Sequence, residues 1–272
     1  MIEIKSAHEI ELMREAGRIT GLALAAVGAA VRPGITTGAL ADIARQVIVK
    51  HKAVPTFLGY KGHDKVPFPG AVCVSVNDQL IHGVPGKRAL AEGDIVSVDC
   101  GATYKGYIGD SSCTWPVGRV SAAAVKLMET TKQCFYLAAG QVKPGARISA
   151  LSRAIQEHAE RNGFNVVKTY TGHGVGRRLH EDPEIPCFVT GGRGPRLYPG
   201  MTLAIEPMVC AGDGEVDYGA DHSTVVTLDG GLCAHYEHTI LVTESGYQIL
   251  TAREGDESWG TAYAMAAGGR AL

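Results

Sequence analysis

The chain repeats parts of its own pattern in the same order. Val31-Arg32-Pro33-Gly34 returns as Val142-Lys143-Pro144-Gly145, and Ala39-Leu40 as Ala150-Leu151, both 111 residues later. Gly93, Val96, Val98 and Asp99 return as Gly200, Leu203, Ile205 and Glu206, 107 residues later. Each of these sets is a turn glycine, an apolar run and then a carboxylate. His82-Gly83-Val84 against His173-Gly174-Val175 makes a third pair. Pro-Gly after a helix and Gly before a strand are common punctuation, so one match carries little. Three in the same order point to a duplication. Such a chain folds as two like halves, and a site built on matched strands lies between them, with one strand pair from each. No hydrophilic linker separates the halves, so residues 1–252 read as one domain, divided near residue 115.

Both halves open with the same helical grammar. Ser6, with Glu9 three residues on, forms a capping box, and Pro33-Gly34 is a stop, which predicts a helix over Ala7 to Ala30. A second is predicted from Thr37 to His51. Ser121 to Gln141 and Ser149 to Asn162 repeat the pair around Pro144-Gly145. Ile19 to Val31 is nearly all apolar or small, like the core of a secretion signal. Glu3, Glu9, Glu11 and Glu15 precede it, mixed with Lys5, Arg14 and Arg18, whereas a signal opens on a short basic stretch. The segment is also shorter than the roughly 20 residues a bilayer span needs, so it reads as a buried helix face. Residues 253–272 are rich in Gly and Ala without a period and are expected to form a flexible tail. A docked helix around Tyr263 to Ala267 is the alternative.

Composition narrows the partners. A formal net charge of -2 argues against a general polyanion binder, so neither nucleic acid nor membrane is expected as a partner. Seven cysteines, an odd number without a C-x-x-C pair, make neither a disulfide framework nor a zinc ribbon. A reducing cytoplasm suits them.

Five hard metal ligands stand out: Asp99, Asp110, His173, Glu206 and Glu237. Asp99 closes the apolar run Asp94 to Val98, and Asp110 follows eleven residues on, after a Gly-rich stretch. That spacing suits two antiparallel strands joined by a short loop, with both carboxylates on one side. Read singly, each Asp could close a strand or cap a turn. Leu203-Ala204-Ile205 before Glu206 and Ile240-Leu241-Val242 after Glu237 weaken that reading, because buried carboxylates are costly unless paired or bound to metal. Oxygen-rich sets favour Mn, Mg or Fe, and one imidazole tilts the choice toward a transition metal. Two ions sharing such a site can activate one water, which points to a hydrolase.

Other chemistries fail on detail. Gly172-His173-Gly174-Val175-Gly176 is G-x-G-x-G, not a dinucleotide fingerprint, and no Lys-Ser/Thr follows to make a phosphate loop. His180-Glu181-x-x-Glu184 lacks the second His of a zinc helix, and Pro183 would break that helix. No G-x-S-x-G elbow is present.

The stretch Thr171 to Pro183 resembles methionine aminopeptidases, as do Leu203-Ala-Ile-Glu206-Pro-Met208, Tyr236-Glu237-His238-Thr239, Ile81-His82-Gly83-Val84-Pro85 and the Asp99/Asp110 pair. The likeness covers about residues 3 to 252, in family order. It is to the type I, bacterial-like form of these M24-type metallopeptidases, with no large insertion before Glu237 and no zinc-finger extension in front. The resemblance implies an α+β pita-bread (creatinase/aminopeptidase) fold: two pseudo-symmetric α/β halves around a curved antiparallel sheet. It implies removal of N-terminal methionine from nascent proteins and peptides with a small second residue. It also implies two divalent ions per chain, of Co, Mn or Fe(II), with Zn and Ni as further candidates. Asp99 would bind one ion through both oxygens, Asp110 and Glu237 would bridge, and His173 and Glu206 would complete the other shell. Glu206 would also be the general base. His82 would meet the scissile amide nitrogen and His180 the carbonyl oxygen. The implied setting is a cytoplasmic monomer working on nascent chains near the ribosome exit.

By position, the methionine pocket would be walled by Tyr60, Cys73 and Met208, with His63 at its edge, where the family has a second aromatic. Leu179 and Ser223 also replace aromatics, and His235 replaces a glutamine common two residues before Glu237. A wider, more polar rim is one expectation; neighbouring side chains filling the space is the other. An Xaa-Pro exopeptidase of the same fold, or a non-enzymatic pita-bread binding protein, are the alternatives. His82-Gly-Val-Pro, Glu237-His-Thr and the complete ligand set favour the methionine enzyme.

Overall fold

The computed structural model describes residues 1–61, 66–254 and 256. In the first half, helices α1 (Ala7–Ala30) and α2 (Thr37–Lys50) lead into strands β1 (Val54–Pro55), β2 (Cys73–Val76), β3 (Gln79–Ile81), β4 (Ile95–Tyr104) and β5 (Tyr107–Pro116). In the second, α3 (Ala122–Ala139) and α4 (Ile148–Arg161) lead into β6 (Asn165–Val166), β7 (Thr171–Gly174), β8 (Glu181–Pro186), β9 (Thr202–Ile205), β10 (Met208–Cys210), β11 (Val216–Tyr218), β12 (Val225–Thr227), β13 (Cys233–His235), β14 (His238–Val242) and β15 (Tyr247–Ile249). Every strand pairing among the described residues is antiparallel. No helix among them is long and apolar enough to cross a membrane.

The four helices form where the caps and stops place them. Ser6 and Glu9 close the capping box reciprocally: Ser6 N–H donates to Glu9 Oε2 at 2.9 Å, and Glu9 N–H to Ser6 Oγ at 3.4 Å. The buried stripe of α1 (Met13, Ala16, Ile19, Thr20, Ala23, Leu24, Val27) has helical spacing and turns toward the sheet. Gly109 of β5 lets α1 come close. A Cβ there would sit 2.5 Å from the Gly17 nitrogen. Thr20 Oγ1 donates to the Gly109 carbonyl at 2.9 Å.

Alternation along the strands decides which face carries chemistry. On β4, Val96, Val98, Cys100 and Ala102 pack with Ile19, Leu24, Leu40 and Ile48 of α1 and α2. Ser97, Asp99 and Gly101 face the other way. On β9, Leu203 and Ile205 pack with Leu127, Phe135, Leu151 and Ile155 of α3 and α4, turning Glu206 to the same free face.

The duplication extends to single hydrogen bonds. Gly34 N–H donates to Leu90 O at 2.7 Å, and Gly145 N–H to Leu197 O at 2.8 Å. The isolated bridge Thr36↔Ala89 has its counterpart in Arg147↔Arg196. Val54↔Thr103 in β1–β4 is matched by Asn165↔Cys210 in β6–β10. All keep the offsets of 111 and 107 residues seen in the sequence. Gly34, Gly93, Gly145 and Gly200 share positive φ values of 83° to 95°, which explains why glycine recurs there.

Two expectations are corrected. The pairing of His82 with His173 is not a symmetry relation. His173 lies opposite Ala204, whose counterpart Ser97 lies opposite Ser75, so Ser75 is the mate of His173. Asp99 does not end its strand, because β4 continues to Tyr104 and turns into β5 through Lys105 and Gly106 at positive φ. Of residues 253–272, Arg253 and Asp256 are tied down. Arg253 Nε donates to Asp256 Oδ2 at 3.1 Å, and Tyr236 O–H to Asp256 Oδ1 at 3.1 Å. Residue 255 and residues 257–272 of the expected tail, including Tyr263 to Ala267, lie outside the described residues.

Candidate metal centre

The β4–β5 hairpin sets the first pair of carboxylates. Asp99 lies opposite Ser112, and Gly101 opposite Asp110. Residues two apart on a strand, and residues directly across, share a face, so Asp99 and Asp110 are diagonal neighbours on the face away from the helices.

The second pair arises where a ladder is interrupted. β9 and β14 pair up to Ile205↔His238, and β10 and β13 resume at Met208↔His235. Between them stand Glu206-Pro207 and Tyr236-Glu237. Pro207 has no N–H to give, so the ladder bends there. Backbone pairing across the halves joins the pairs. Glu237 N–H donates to Ser112 O at 3.1 Å, and Ser112 N–H to Glu237 O at 3.3 Å. Thr239 Oγ1 donates to Asp110 O at 2.8 Å and accepts from Asp110 N–H at 3.0 Å. The strands carrying Asp110 and Glu237 are thereby held side by side.

Ligand atoms of Asp110, His173 and Glu237 lie within 4.8 Å of one another, and all three residues are buried. His173 Nε2 is 3.4 Å from Glu206 Oε1 and 4.0 Å from Asp110 Oδ2. Asp99 Oδ1, Asp110 Oδ1 and Glu237 Oε1 are buried without a hydrogen-bond partner. Burial lifts the Asp99 carboxyl to about 7, with His235 opposing the shift and Glu206 adding to it. Burial lifts Glu206 to about 8. Asp110 and Glu237 are driven well above the ordinary carboxylate range by burial first and by neighbouring carboxylates second. Burial, with His180 close by, holds His173 down to about 3, so it is a neutral imidazole. Orphaned oxygens, mutual repulsion and a neutral nitrogen are the properties of a site whose missing charge is cationic. The donor set fits hard to borderline divalent ions.

Around this cluster, Tyr60 O–H and His180 Nδ1 are 2.8 Å apart, and the His180 ring stands edge-on to His173 at 4.5 Å between centroids. His82 is exposed at positive φ, with its ring edge-on to Tyr170 at 6.0 Å. Cys73 lies opposite Asp99 in the β2–β4 ladder, and Met208 is fully buried opposite His235. His63 lies outside the described residues. Leu179 is buried and belongs to one apolar cluster with Cys73, Phe57 and Val175. Ser223 is half-buried in the loop before β12. His235 is not on a rim at all: it is buried, with Nε2 3.5 Å from Glu206 Oε2. Sequence reasoning missed Ser112 and Thr239, which align the strands of Asp110 and Glu237. The signal was available, since Asp110-x-Ser112 and Glu237-x-Thr239 keep the two-residue period of one strand face.

A pita-bread fold with this buried carboxylate–imidazole cluster defines a metal-dependent peptidase. The profile of metallopeptidase family M24 matches residues 11–244, and the chain belongs to that family. Its relatives there include "Methionine aminopeptidase 1" of Bacillus subtilis, 51% identical over 92% of this chain and 99% of that one. The methionine aminopeptidase of Clostridium acetobutylicum is 46% identical over 93% of this chain and all of that one. The crystal structure of a methionine aminopeptidase from Thermotoga maritima superposes with a TM-score of 0.88, at 46% identity, covering 92% of this chain and 99% of that one.

Proposed function

We propose that this chain removes the N-terminal methionine from nascent proteins and peptides with a small second residue. What carries the reading is the convergence of Asp99, Asp110, His173, Glu206 and Glu237 from both halves. Relatives of nearly equal length that bear the methionine aminopeptidase name support the substrate. Two divalent ions would be held by Asp99, Asp110, His173, Glu206 and Glu237. When bound, such ions polarise the scissile carbonyl and make a water nucleophilic near neutral pH.

The chain's own groups do the rest. Glu206, whose Oε1 lies 3.4 Å from His173 Nε2, would take the proton of the attacking water. With Tyr60 O–H as donor to His180 Nδ1, 2.8 Å away, the imidazole proton would sit on Nε2, available for the carbonyl oxygen. His82 meets the amide nitrogen. Cys73, Met208 and Tyr60 wall the methionine side chain, an apolar and polarisable lining for a thioether. Seven free cysteines fit work in the reducing cytoplasm, where nascent chains leave the ribosome, and a monomer suffices because one chain carries all five ligands.

A chelator-stripped preparation is expected to lose cleavage of a Met-Gly peptide and to recover it with Co, Mn or Fe(II). Full activity in protein shown metal-free by elemental analysis would sink the reading. Preference for Ala-Pro over Met-Gly would instead point to an Xaa-Pro exopeptidase.

A further inference from the structure

His235 is 1% exposed, and neither ring nitrogen has a hydrogen-bond partner in the structure. A buried imidazole in that state is costly unless something completes it. Its Nε2 lies 3.5 Å from Glu206 Oε2 and 4.0 Å from Glu237 Oε2. The backbone imposes this position. His235 pairs with Met208 directly beyond the break in the ladder, and Glu237 is two residues on, so both side chains turn to the ligand face.

The internal symmetry reaches the same residue independently. Val96↔Trp115, Ser97↔Thr114 and Val98↔Cys113 in the first half correspond to Leu203↔Ile240, Ala204↔Thr239 and Ile205↔His238 in the second. Continuing the register makes Glu206 the mate of Asp99, Glu237 the mate of Ser112, and His235 the mate of Asp110. Gly101↔Asp110 and Met208↔His235 are the matching cross-strand pairs. The duplicated scaffold therefore aims a sixth side chain at the centre, in the place that Asp110 holds in the first half.

Glu206 stands between two imidazoles, with Oε1 toward His173 at 3.4 Å and Oε2 toward His235 at 3.5 Å. A neutral imidazole offers one N–H, and a carboxylate oxygen has two acceptor sites. We propose that His235 is a positioning residue whose Nε2–H holds Glu206 Oε2, so that Oε1 stays with His173 while Oε2 keeps one lone pair for the proton it takes. A shift of about half an ångström brings the pair to ordinary hydrogen-bond length. Partners of this kind set the orientation and affinity of metal ligands, and their loss weakens binding by roughly 10- to 100-fold. The inference rests on the ligand set proposed above.

The test is Mn(II) titration by calorimetry into chelator-stripped, full-length protein, comparing the unaltered chain with His235→Ala and His235→Gln. Melting of the metal-free proteins is followed in parallel. The Gln amide can donate to the same oxygen, so H235Q is expected to bind Mn(II) within about threefold of the unaltered chain, while H235A weakens by roughly 10-fold or more. Equal affinity of H235A and the unaltered chain overturns the inference and leaves the ligand set standing. H235Q as weak as H235A also overturns it, because the imidazole would then act as a ligand and not as a donor. No Mn(II) binding by the unaltered chain fells the ligand set and this inference together. A melting temperature for metal-free H235Q near that of the unaltered chain, with H235A alone losing Mn(II), supports the positioning role over a packing role.

Discussion

At the scale of single residues, four carboxylates, those of Asp110 and Glu237 buried and those of Asp99 and Glu206 partly so, crowd one space, so without ions the folded chain keeps extra protons. Asp99 near 7 and Glu206 near 8 are far above the roughly 4 of an unfolded carboxyl. A raised pKa contributes stability that is present below the unfolded value and lost as pH climbs through the folded one. His173 near 3 and His235 near 4 act oppositely, but their contribution is complete by about pH 6.5. The melting temperature of metal-free protein is therefore expected to fall between about pH 6.5 and 8.5, and Mn(II) should lessen the fall, because ionised carboxylates bind it. Melting curves in chelator buffer check this, and a flat or rising profile would contradict it. Roles within the centre separate by mutation. His180→Ala is expected to lower kcat by roughly 10²-fold with metal content unchanged, since an oxyanion donor costs about that much. Asp110→Ala is expected to lose metal. Elemental analysis beside steady-state kinetics distinguishes the two, and equal metal loss would mean that the roles are wrongly divided.

At the scale of elements, the loop bearing His180 is held from the N-terminus. Lys5 N–H donates to Gly200 O at 2.9 Å, and Lys5 Nζ to Glu181 Oε2 at 2.6 Å, with both side chains buried. Glu181 Oε1 accepts from Arg178 N–H at 3.1 Å, which closes the turn beneath His180. Removing one partner of a buried ion pair strands the other charge and costs about 3–5 kcal/mol. Lys5→Ala should lower stability by that order, read by urea denaturation, while Lys5→Met with Glu181→Leu should recover much of it. A Lys5→Ala chain as stable as the parent would show the pair to be dispensable.

At the scale of the whole molecule, duplication brings one strand pair from each half to a common face, and the substrate meets whatever lines that face. Leu179 is buried in an apolar cluster and His235 is buried beside Glu206, so two of the residues expected to alter the rim do not lie on it. Selectivity for a small second residue should therefore persist. Among peptides that differ only at the start, Met-Gly is expected to be cut faster than Met-Val and far faster than Leu-Gly. A Leu-Gly rate above Met-Gly would remove the methionine assignment.

How much of this was legible follows from the range of the forces involved. Capping by Ser6, the Pro-Gly stops and the apolar periods are local, so the four helices and the recurrence of glycine at positive φ could be read along the chain. The four candidate carboxylate ligands could be picked out because carboxylates beside apolar strands demand a partner wherever the chain takes them. Cross-strand register is not local. The match of Ser75, rather than His82, to His173 came from a ladder formed between distant segments. So did the burial of His235, which the family resemblance had placed at a rim. A strand's face is set by its neighbours, and one residue of register turns every side chain to the other side. The amino-acid sequence by itself determined which groups could bind metal and that the halves were alike. Only the tertiary structure decided which of those groups share a face, because that choice belongs to the pairing of strands and not to any one of them.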